Sequence, residues 1–366
     1  MKIFLDNIIF SKVNQGGVSN YWFELSKYLL NQSEDEVFFH EESNVFENFH
    51  RQQLEIPTDA FLSNAKGKFS ILSRVKPIKY DSEDFFLYHS SYYRALKGVP
   101  NQREVTTIHD FTHNYFSPPH KRFVHNQLKF SAIKRSKGLI CVSQNTYKDL
   151  RKFCPVRSDQ KIEIIHNGVS DDYFPIKNYS NLELEFFNRN KLEENYVIYV
   201  GSRTNYKNFN FVVELLKEIK NIKLVVVGNQ LSAAERKLFN ADLLRRTTIF
   251  TAITNVELNL LYNNATALIY PSSYEGFGIP ILEAMSAGCP VIALDNSSIS
   301  EVAGSAGVLL KQLEIPKFKE IIENLQKNAS FRVEISGKGI VHSKPFSWEK
   351  SCQETHNFYK EIASES

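Results

Sequence analysis

Long hydrophobic runs are missing from this chain of 366 residues: no apolar stretch approaches the roughly 20 residues that a membrane-crossing helix needs. The first one, Ile3-Phe4-Leu5, is interrupted by Asp6, so residues 1–12 read as a short opening strand and not as a signal peptide. Cysteine is scarce. Cys141, Cys154, Cys289 and Cys352 are scattered without metal-ligand spacing, which excludes a zinc module and leaves free thiols in a reducing cytoplasm as the expectation. No Asp-x-Asp occurs, and the carboxylates Asp171, Asp172, Asp81 and Asp84 fall in polar loops, so no carboxylate seat for a metal-held diphosphate is expected. No Gly-x-Gly-x-x-Gly follows a strand, which argues against a nicotinamide dehydrogenase. No internal repeat is present at a period of about 20 to 50 residues.

Acid is missing from two stretches. Residues 60–80 carry Lys66, Lys68, Arg74, Lys76 and Lys79, and residues 111–148 carry Lys121, Arg122, Lys129, Lys134, Arg135, Lys137 and Lys148, with no Asp or Glu in either. The net charge of +3 is carried by the first half: residues 1–177 hold 24 Lys and Arg against 20 Asp and Glu, the remainder 20 against 21. Unbalanced basic stretches favour an anionic surface, nucleic acid or the cytoplasmic face of a membrane; the plain alternative is a solvated helix face. No recognised nucleic-acid reader accompanies them.

What is present is an alternation of short apolar strands and amphipathic helices, in a composition of 42% hydrophobic and 23% charged residues that is ordinary for a globular protein. Strands are expected at Lys2–Asp6, Val37–His40, Phe85–His89, Val105–His109, Gly138–Val142 and Lys161–His166, then at Tyr196–Gly201, Lys223–Gly228, Thr247–Phe250, Ala267–Tyr270, Pro290–Leu294 and Gly307–Leu310. Helical spacing lies between them, for example at Asn20–Leu30, Lys121–Arg135 and Phe209–Lys220. Such alternation predicts parallel sheets covered on both faces, an α/β architecture. The polar stretch Lys177–Glu194 reads as the divide between two Rossmann-like domains, residues 1–177 and 195–345, followed by a terminal helix in 346–366. Ligands of such sheets bind at the carboxyl ends of the strands, so two of them are expected to face an interdomain cleft.

The densest signal is residues 270–293, YPSSYEGFGIPILEAMSAGCPVIA. A strand runs into a turn containing Gly276, Phe277 and Gly278, then Ile279 and Pro280 open a helix, and a second strand follows. The unpaired N–H groups and positive dipole of a helix start attract phosphate. Glu275 on the loop and Glu283 within the helix add acceptors for hydroxyls, and a diphosphate flanked by polyols is a nucleotide sugar. Gln15-Gly16-Gly17-Val18 opens a helix after the first strand, where glycine lets the backbone approach a ligand. Thr107-Ile-His-Asp-Phe111 sets His109 and Asp110 at a strand end. Arg203 and Lys207 follow the first strand of the second half and supply positive charge where a diphosphate leaving group would sit.

These segments resemble the retaining glycosyltransferases of the GT-B fold, glycosyltransferase family 4 (group 1), with the HDF and YKNF strings similar to mannosyltransferase-like members. His166-Asn-Gly-Val169 resembles a family turn near the hinge, and Phe346-Ser-Trp348 resembles the family's entry into a last helix that packs back on the N-terminal domain. The resemblance implies that Glu275 contacts the donor sugar, the Gly276–Ile279 backbone the diphosphate and Glu283 the ribose. It implies that Gly16 and Gly17 border the diphosphate and acceptor, that His109 and Asp110 lie at the donor sugar, and that Lys207 and Arg203 face the diphosphate. The family commonly places its arginine directly after the glycine; here Ser202 intervenes, which makes Lys207 the safer assignment. The implied activity is transfer of a hexose from a nucleotide sugar, GDP-mannose being the first donor to test, to a lipid-linked glycan held mainly by the N-terminal domain, in bacterial surface polysaccharide assembly such as lipopolysaccharide. Neither a metal nor a further cofactor is expected, and the location expected is the cytoplasm, peripheral on the inner leaflet. The rival readings are a GT-B epimerase acting on UDP-N-acetylglucosamine and a catalytically inactive nucleotide-sugar-binding protein.

Overall fold

Strands buried on both faces need apolar residues at every position, and the chain supplies them as short continuous runs such as Leu224-Val-Val-Val227. A computed structural model describes residues 1–64, 73, 75–192 and 195–365. Its contacts divide the chain into two compact units, Met1–Gly168 with Trp348–Ser366, and Val169–Ser347.

The strands, in chain order, are β1 (Lys2–Asp6), β2 (Glu36–Glu41), β3 (Phe61–Asn64), β4 (Ile78–Lys79), β5 (Phe86–Ser90), β6 (Leu96–Lys97), β7 (Gln102–Ile108), β8 (Gly138–Cys141) and β9 (Lys161–Ile164) in the first unit. The second holds β10 (Tyr196–Val200), β11 (Lys223–Val227), β12 (Thr247–Phe250), β13 (Ala267–Tyr270), β14 (Val291–Leu294) and β15 (Val308–Leu310). The first unit builds a seven-stranded sheet in the order β3-β2-β1-β5-β7-β8-β9, with β4 and β6 as a small separate pair. The second builds a six-stranded sheet in the order β12-β11-β10-β13-β14-β15. Every ladder is parallel. Both units therefore have the Rossmann-like arrangement expected, and all twelve expected strands lie in the two large sheets. β3, β4 and β6 were not expected.

The stretch 177–194 is not merely polar spacer. Residues Asn181–Arg189 form a helix capped by Ser180 and Glu183, and it buries Phe186 and Phe187. Phe186 stacks on Phe250 of β12 at 5.9 Å, so this segment belongs to the packing of the second unit. Ahead of it, Tyr173 packs on Tyr262, and the Phe174 and Ile176 N–H groups bond the side chains of Asn259 and Asn263.

The last helix, Trp348–Ser364, belongs to the first unit and contacts the Gly17–Gln32 helix, β7 and β8. Gly138 at the start of β8 makes room for it: a Cβ there would lie 2.8 Å from the Phe358 ring and 2.9 Å from Ile362. Arg103 donates to the carbonyls of Ile362 and Ala363, and His356 pairs with Asp35 at 2.6 Å. The four cysteines are free and buried. Among the described residues no helix is long and apolar enough to cross a membrane.

Several basic residues of the acid-free stretch 111–148 find partners elsewhere in the fold, so they are not all available to one surface. Lys129 is buried and donates to the Asp110 carbonyl. Arg135 is paired with Glu104 at 2.9 Å, and Lys137 with Asp159 at 3.0 Å. Lys66, Lys68 and Arg74 of the other stretch lie outside the described residues.

Candidate active site

In the second unit the carboxyl ends of the neighbouring strands β10 and β11 run into glycines. β10 ends into Gly201 and β11 into Gly228, and a Cβ at Gly228 would lie 2.7 Å from the Gly201 carbonyl. After β13 the chain turns through residues 271–278 and enters the helix Ile279–Ser286. Gly278 caps that helix at φ 112°, ψ 50°, a left-handed conformation that any residue with a Cβ resists. The Ile281 N–H is taken by the Gly278 carbonyl at 3.0 Å and Pro280 has none, so the donors this helix start can offer a ligand are those of Gly278 and Ile279.

The loop before the helix is braced on three sides. Asn208, itself left-handed at φ 51°, donates to the Pro271 carbonyl at 2.8 Å and to Ser273 Oγ at 2.7 Å. Ser297 Oγ accepts from the Glu275 N–H at 3.0 Å. The buried Ser298 hydroxyl reaches the carbonyls of both Glu275 (2.9 Å) and Phe277 (2.7 Å). The sequence marks Asn208 at a helix start and Ser297 and Ser298 in a loop resembling one of the family, but not their bracing role, although Asn and Ser after strand ends are the types that hold such turns.

Lys207 Nζ lies 2.9 Å from Glu275 Oε1, and both side chains are largely buried. This pairs a cation and a carboxylate 68 residues apart at one strand edge. Arg203 is placed differently. Its guanidinium is held by Glu235 at 2.6 Å and by the Gln230 carbonyl at 2.8 Å, beside the Phe209 ring. Glu235 is also the reciprocal cap of the helix Ala233–Arg236, so Arg203 is tied into that corner and not to Glu275. Glu283, one turn into the Ile279–Ser286 helix, accepts from Tyr262 Oη at 3.1 Å. Burial pushes its carboxyl up to about 7, against the hydroxyls of Tyr262 and Tyr173, which favour the charged form.

In the first unit, β7 ends at Ile108, leaving His109 and Asp110 as the first residues beyond it. His109 stands edge-on to Tyr21 at 5.0 Å. Burial pushes its imidazole down to about 4, Asp110 opposing and Lys129 adding to the effect, so it is neutral at pH 7 and able both to donate and to accept. Asp110 Oδ1 accepts from the Thr112 N–H at 2.8 Å. Despite its burial, Lys129 and the Thr112 bonds hold that carboxyl below the usual range. Gly16 caps the Gly17–Gln32 helix in an extended conformation, and a Cβ there would meet nothing within 4 Å. Neither backbone strain nor packing requires glycine at that point; the space is open at a helix start. The structure thus brings together Lys207, Glu275, Gly276, Phe277, Gly278, Ile279 and Glu283 in one unit, and His109 and Asp110 at a strand end of the other.

Comparisons with known proteins bear on the family and the fold. Residues 181–340 match the family described as glycosyl transferases group 1, and residues 15–173 match Glycosyltransferase Family 4. O-antigen chain mannosyltransferase B of Escherichia coli is 26% identical over 377 residues, covering 94% of this chain and 96% of that protein. Among solved structures, WaaG, a glycosyltransferase involved in lipopolysaccharide biosynthesis, superposes with a TM-score of 0.69 at 15% identity, covering all of both chains. Anabaena HepE in complex with UDP and glucose gives a TM-score of 0.72 at 16% identity, covering 98% of this chain and 99% of that one.

Proposed function

Because the chain belongs to glycosyltransferase family 4 (group 1) and has the GT-B fold, we propose that it moves a hexose from a nucleotide sugar to a lipid-linked glycan acceptor, with retention of configuration, in the assembly of a bacterial surface polysaccharide. The observation that carries the reading is the Lys207–Glu275 pair at the edge of β10 and β13, beside the N–H groups at the Gly278 helix cap. A nucleotide diphosphate entering there meets an ammonium and a positive helix start, and Glu275 is released to hold a sugar hydroxyl. As the glycosidic bond breaks, negative charge grows on the leaving phosphate, and Lys207 with the Gly278 and Ile279 donors stabilises it from fixed positions. Glu283 accepts the ribose hydroxyls. In the first unit, the neutral His109 offers a hydrogen bond to a sugar hydroxyl, and Asp110 fixes the turn that carries it.

Mannose is the sugar this reading favours, on the likeness to an O-antigen mannosyltransferase, with GDP-mannose as donor. The acceptor is reached at a membrane. The start of the Pro119–Arg135 helix supports this, since Phe123 (64%) and Val124 (58%) stand exposed beside Lys121 and Arg122, with Phe116 close in sequence at 46%. The test is a donor panel: thermal shift of the full chain with UDP-, GDP- and dTDP-sugars, with and without excess EDTA. Stabilisation by GDP-mannose that EDTA leaves intact is the expected result. No stabilisation by any nucleotide sugar overturns the reading, and stabilisation by UDP-N-acetylglucosamine alone redirects it to an epimerase.

A further inference from the structure

The first unit carries a second group of cations that the donor chemistry does not use. It is assembled from three segments that follow the carboxyl ends of β1, β5 and β7, the edge where ligands of such sheets bind. Lys12, beyond β1, lies over the ring of Tyr92, beyond β5. His113, beyond β7, is stacked on His125 with ring centroids 3.9 Å apart and planes 28° apart. Tyr92 and Tyr93 both meet the His125 ring edge-on, at 5.9 and 6.0 Å. His125 shares one stripe of the Pro119–Arg135 helix with Lys121 and Lys129, four residues to either side.

Lys12, Lys121 and Lys129 act on His113, and Lys12 and Lys129 on His125, while Asp110 is the carboxylate acting on both. Asp149 acts on Lys129 and is also bonded by Tyr115 Oη. His113 Nδ1 is bonded to Ser117 Oγ at 2.7 Å. His125 Nδ1 is buried with no hydrogen-bond partner among the described residues. Buried polar atoms are ordinarily paired, and His125 Nδ1, left unpaired on a helix stripe shared with Lys121 and Lys129, points to an absent anionic partner.

We infer that Lys12, His113, His125 and Lys129 form a binding site for a phosphate or diphosphate group on the acceptor. The inference rests on the glycosyltransferase reading and names the chemistry of its second substrate. Burial holds both imidazoles below their ordinary value in the protein alone, His125 at about 3. An anion placed against them favours the charged rings, so binding takes up protons and strengthens as pH falls.

The experiment titrates the full chain, labelled with carbon-13 at histidine, with inorganic pyrophosphate and with citronellyl diphosphate, at about pH 6.5 and about pH 8, on either side of most histidine titrations. The His113 and His125 ring signals should move and their titration midpoints rise with either probe, with tighter binding at the lower pH. His125→Gln should weaken both probes about tenfold or more, the size of a lost charge-assisted hydrogen bond, while UDP and GDP affinities stay unchanged. Citronellyl diphosphate binding tenfold tighter than pyrophosphate identifies a lipid-borne group; equal binding identifies a phosphate on a soluble acceptor. Ring signals indifferent to both probes in the folded native protein overturn the site, and that result needs no variant to fold. If no nucleotide sugar binds while the histidines still respond, the donor reading fails and the anion site stands.

Discussion

Glu283 is the residue whose setting makes the sharpest demand. Its carboxyl is raised from 4.5 to about 7 by burial, so the folded protein binds its proton more tightly than the unfolded chain does. Between those values stability falls as pH rises, because the folded state must give up a proton it prefers to keep. The rise corresponds to at most about 3 kcal/mol, less for the part of the side chain that water reaches. Glu283→Gln removes the penalty. In urea unfolding without nucleotide, the variant should gain on the native protein from pH 5 to pH 8, by up to that amount. A difference that does not change with pH would place Glu283 in ordinary solvation. The ribose role has the opposite sign: hydroxyls bond the ionised form, so nucleotide affinity should increase over the same range and lose that dependence in the variant. Glu275 and Glu283 were singled out in the sequence through the glycine turn and helix start between them, and Lys207 by its place after a strand, with the family resemblance supplying their roles. The sequence did not disclose that Arg203 is held by Glu235, or that Tyr262 and Tyr173 set the charge of Glu283, because those partners are 21 to 110 residues away and meet only in the folded sheet edge.

The elements were legible in proportion to their burial. Strands covered on both faces are short apolar runs, and β1 and β13 were placed residue for residue; β12, a half-buried edge strand of Thr247, Thr248, Ile249 and Phe250, was also placed residue for residue, by its β-branched and aromatic residues. β3, an edge strand at Phe61–Asn64, and the two-residue β4 and β6 carry no such run. The helix Asn181–Arg189 was concealed by its charged outer face, although Ser180 and Glu183 form the reciprocal cap that marks a helix start. The Pro119–Arg135 helix is the case where one-dimensional charge misleads. Its basic residues seem equivalent along the chain, yet Lys129 is buried while Lys121 and Arg122 are exposed beside Phe123 and Val124. Each basic residue near an anionic surface adds up to about 1 kcal/mol, and inserting Phe123 adds about 1.5 to 3 kcal/mol. Phe123→Asp with Val124→Asp should therefore abolish co-sedimentation with phosphatidylglycerol vesicles at low salt and leave nucleotide binding unchanged. Raised salt should release the native protein only in part, since the apolar contribution is not screened. Equal binding to neutral and anionic vesicles, or to neither, would return this face to solvent. Charge reversal at Lys129 is no test, because it buries an anion against Asp110.

At the scale of the whole molecule, the chain leaves its first unit at Gly168 and returns to it at Trp348, so the first unit is completed by residues that follow the second unit in the chain. Trp348, Phe358, Tyr359 and Ile362 are buried there, and each such side chain contributes about 1.5 to 3 kcal/mol. Together they approach the roughly 5 to 15 kcal/mol that is the entire net stability of a domain. Their removal also strips the partners of Arg103, Asp35 and His89 from the first unit. The second unit, Val169–Ser347, loses no residue and keeps Lys207, Glu275 and Glu283. A chain ending at Ser347 should accordingly lose protection of β1, β5, β7 and β8 in amide hydrogen exchange, while β10, β11 and β13 stay protected and the nucleotide still binds. Sugar transfer should be lost. Gly138→Val is the milder version: it drives a side chain into Phe358 and Ile362 without shortening the chain, and should lower protection of the first unit alone. If the truncated chain retained native protection throughout, the last helix would be an accessory to a first unit that folds without it. If protection of both sheets collapsed together, the two units would fold as one cooperative body and the division at Gly168 would be one of contacts only.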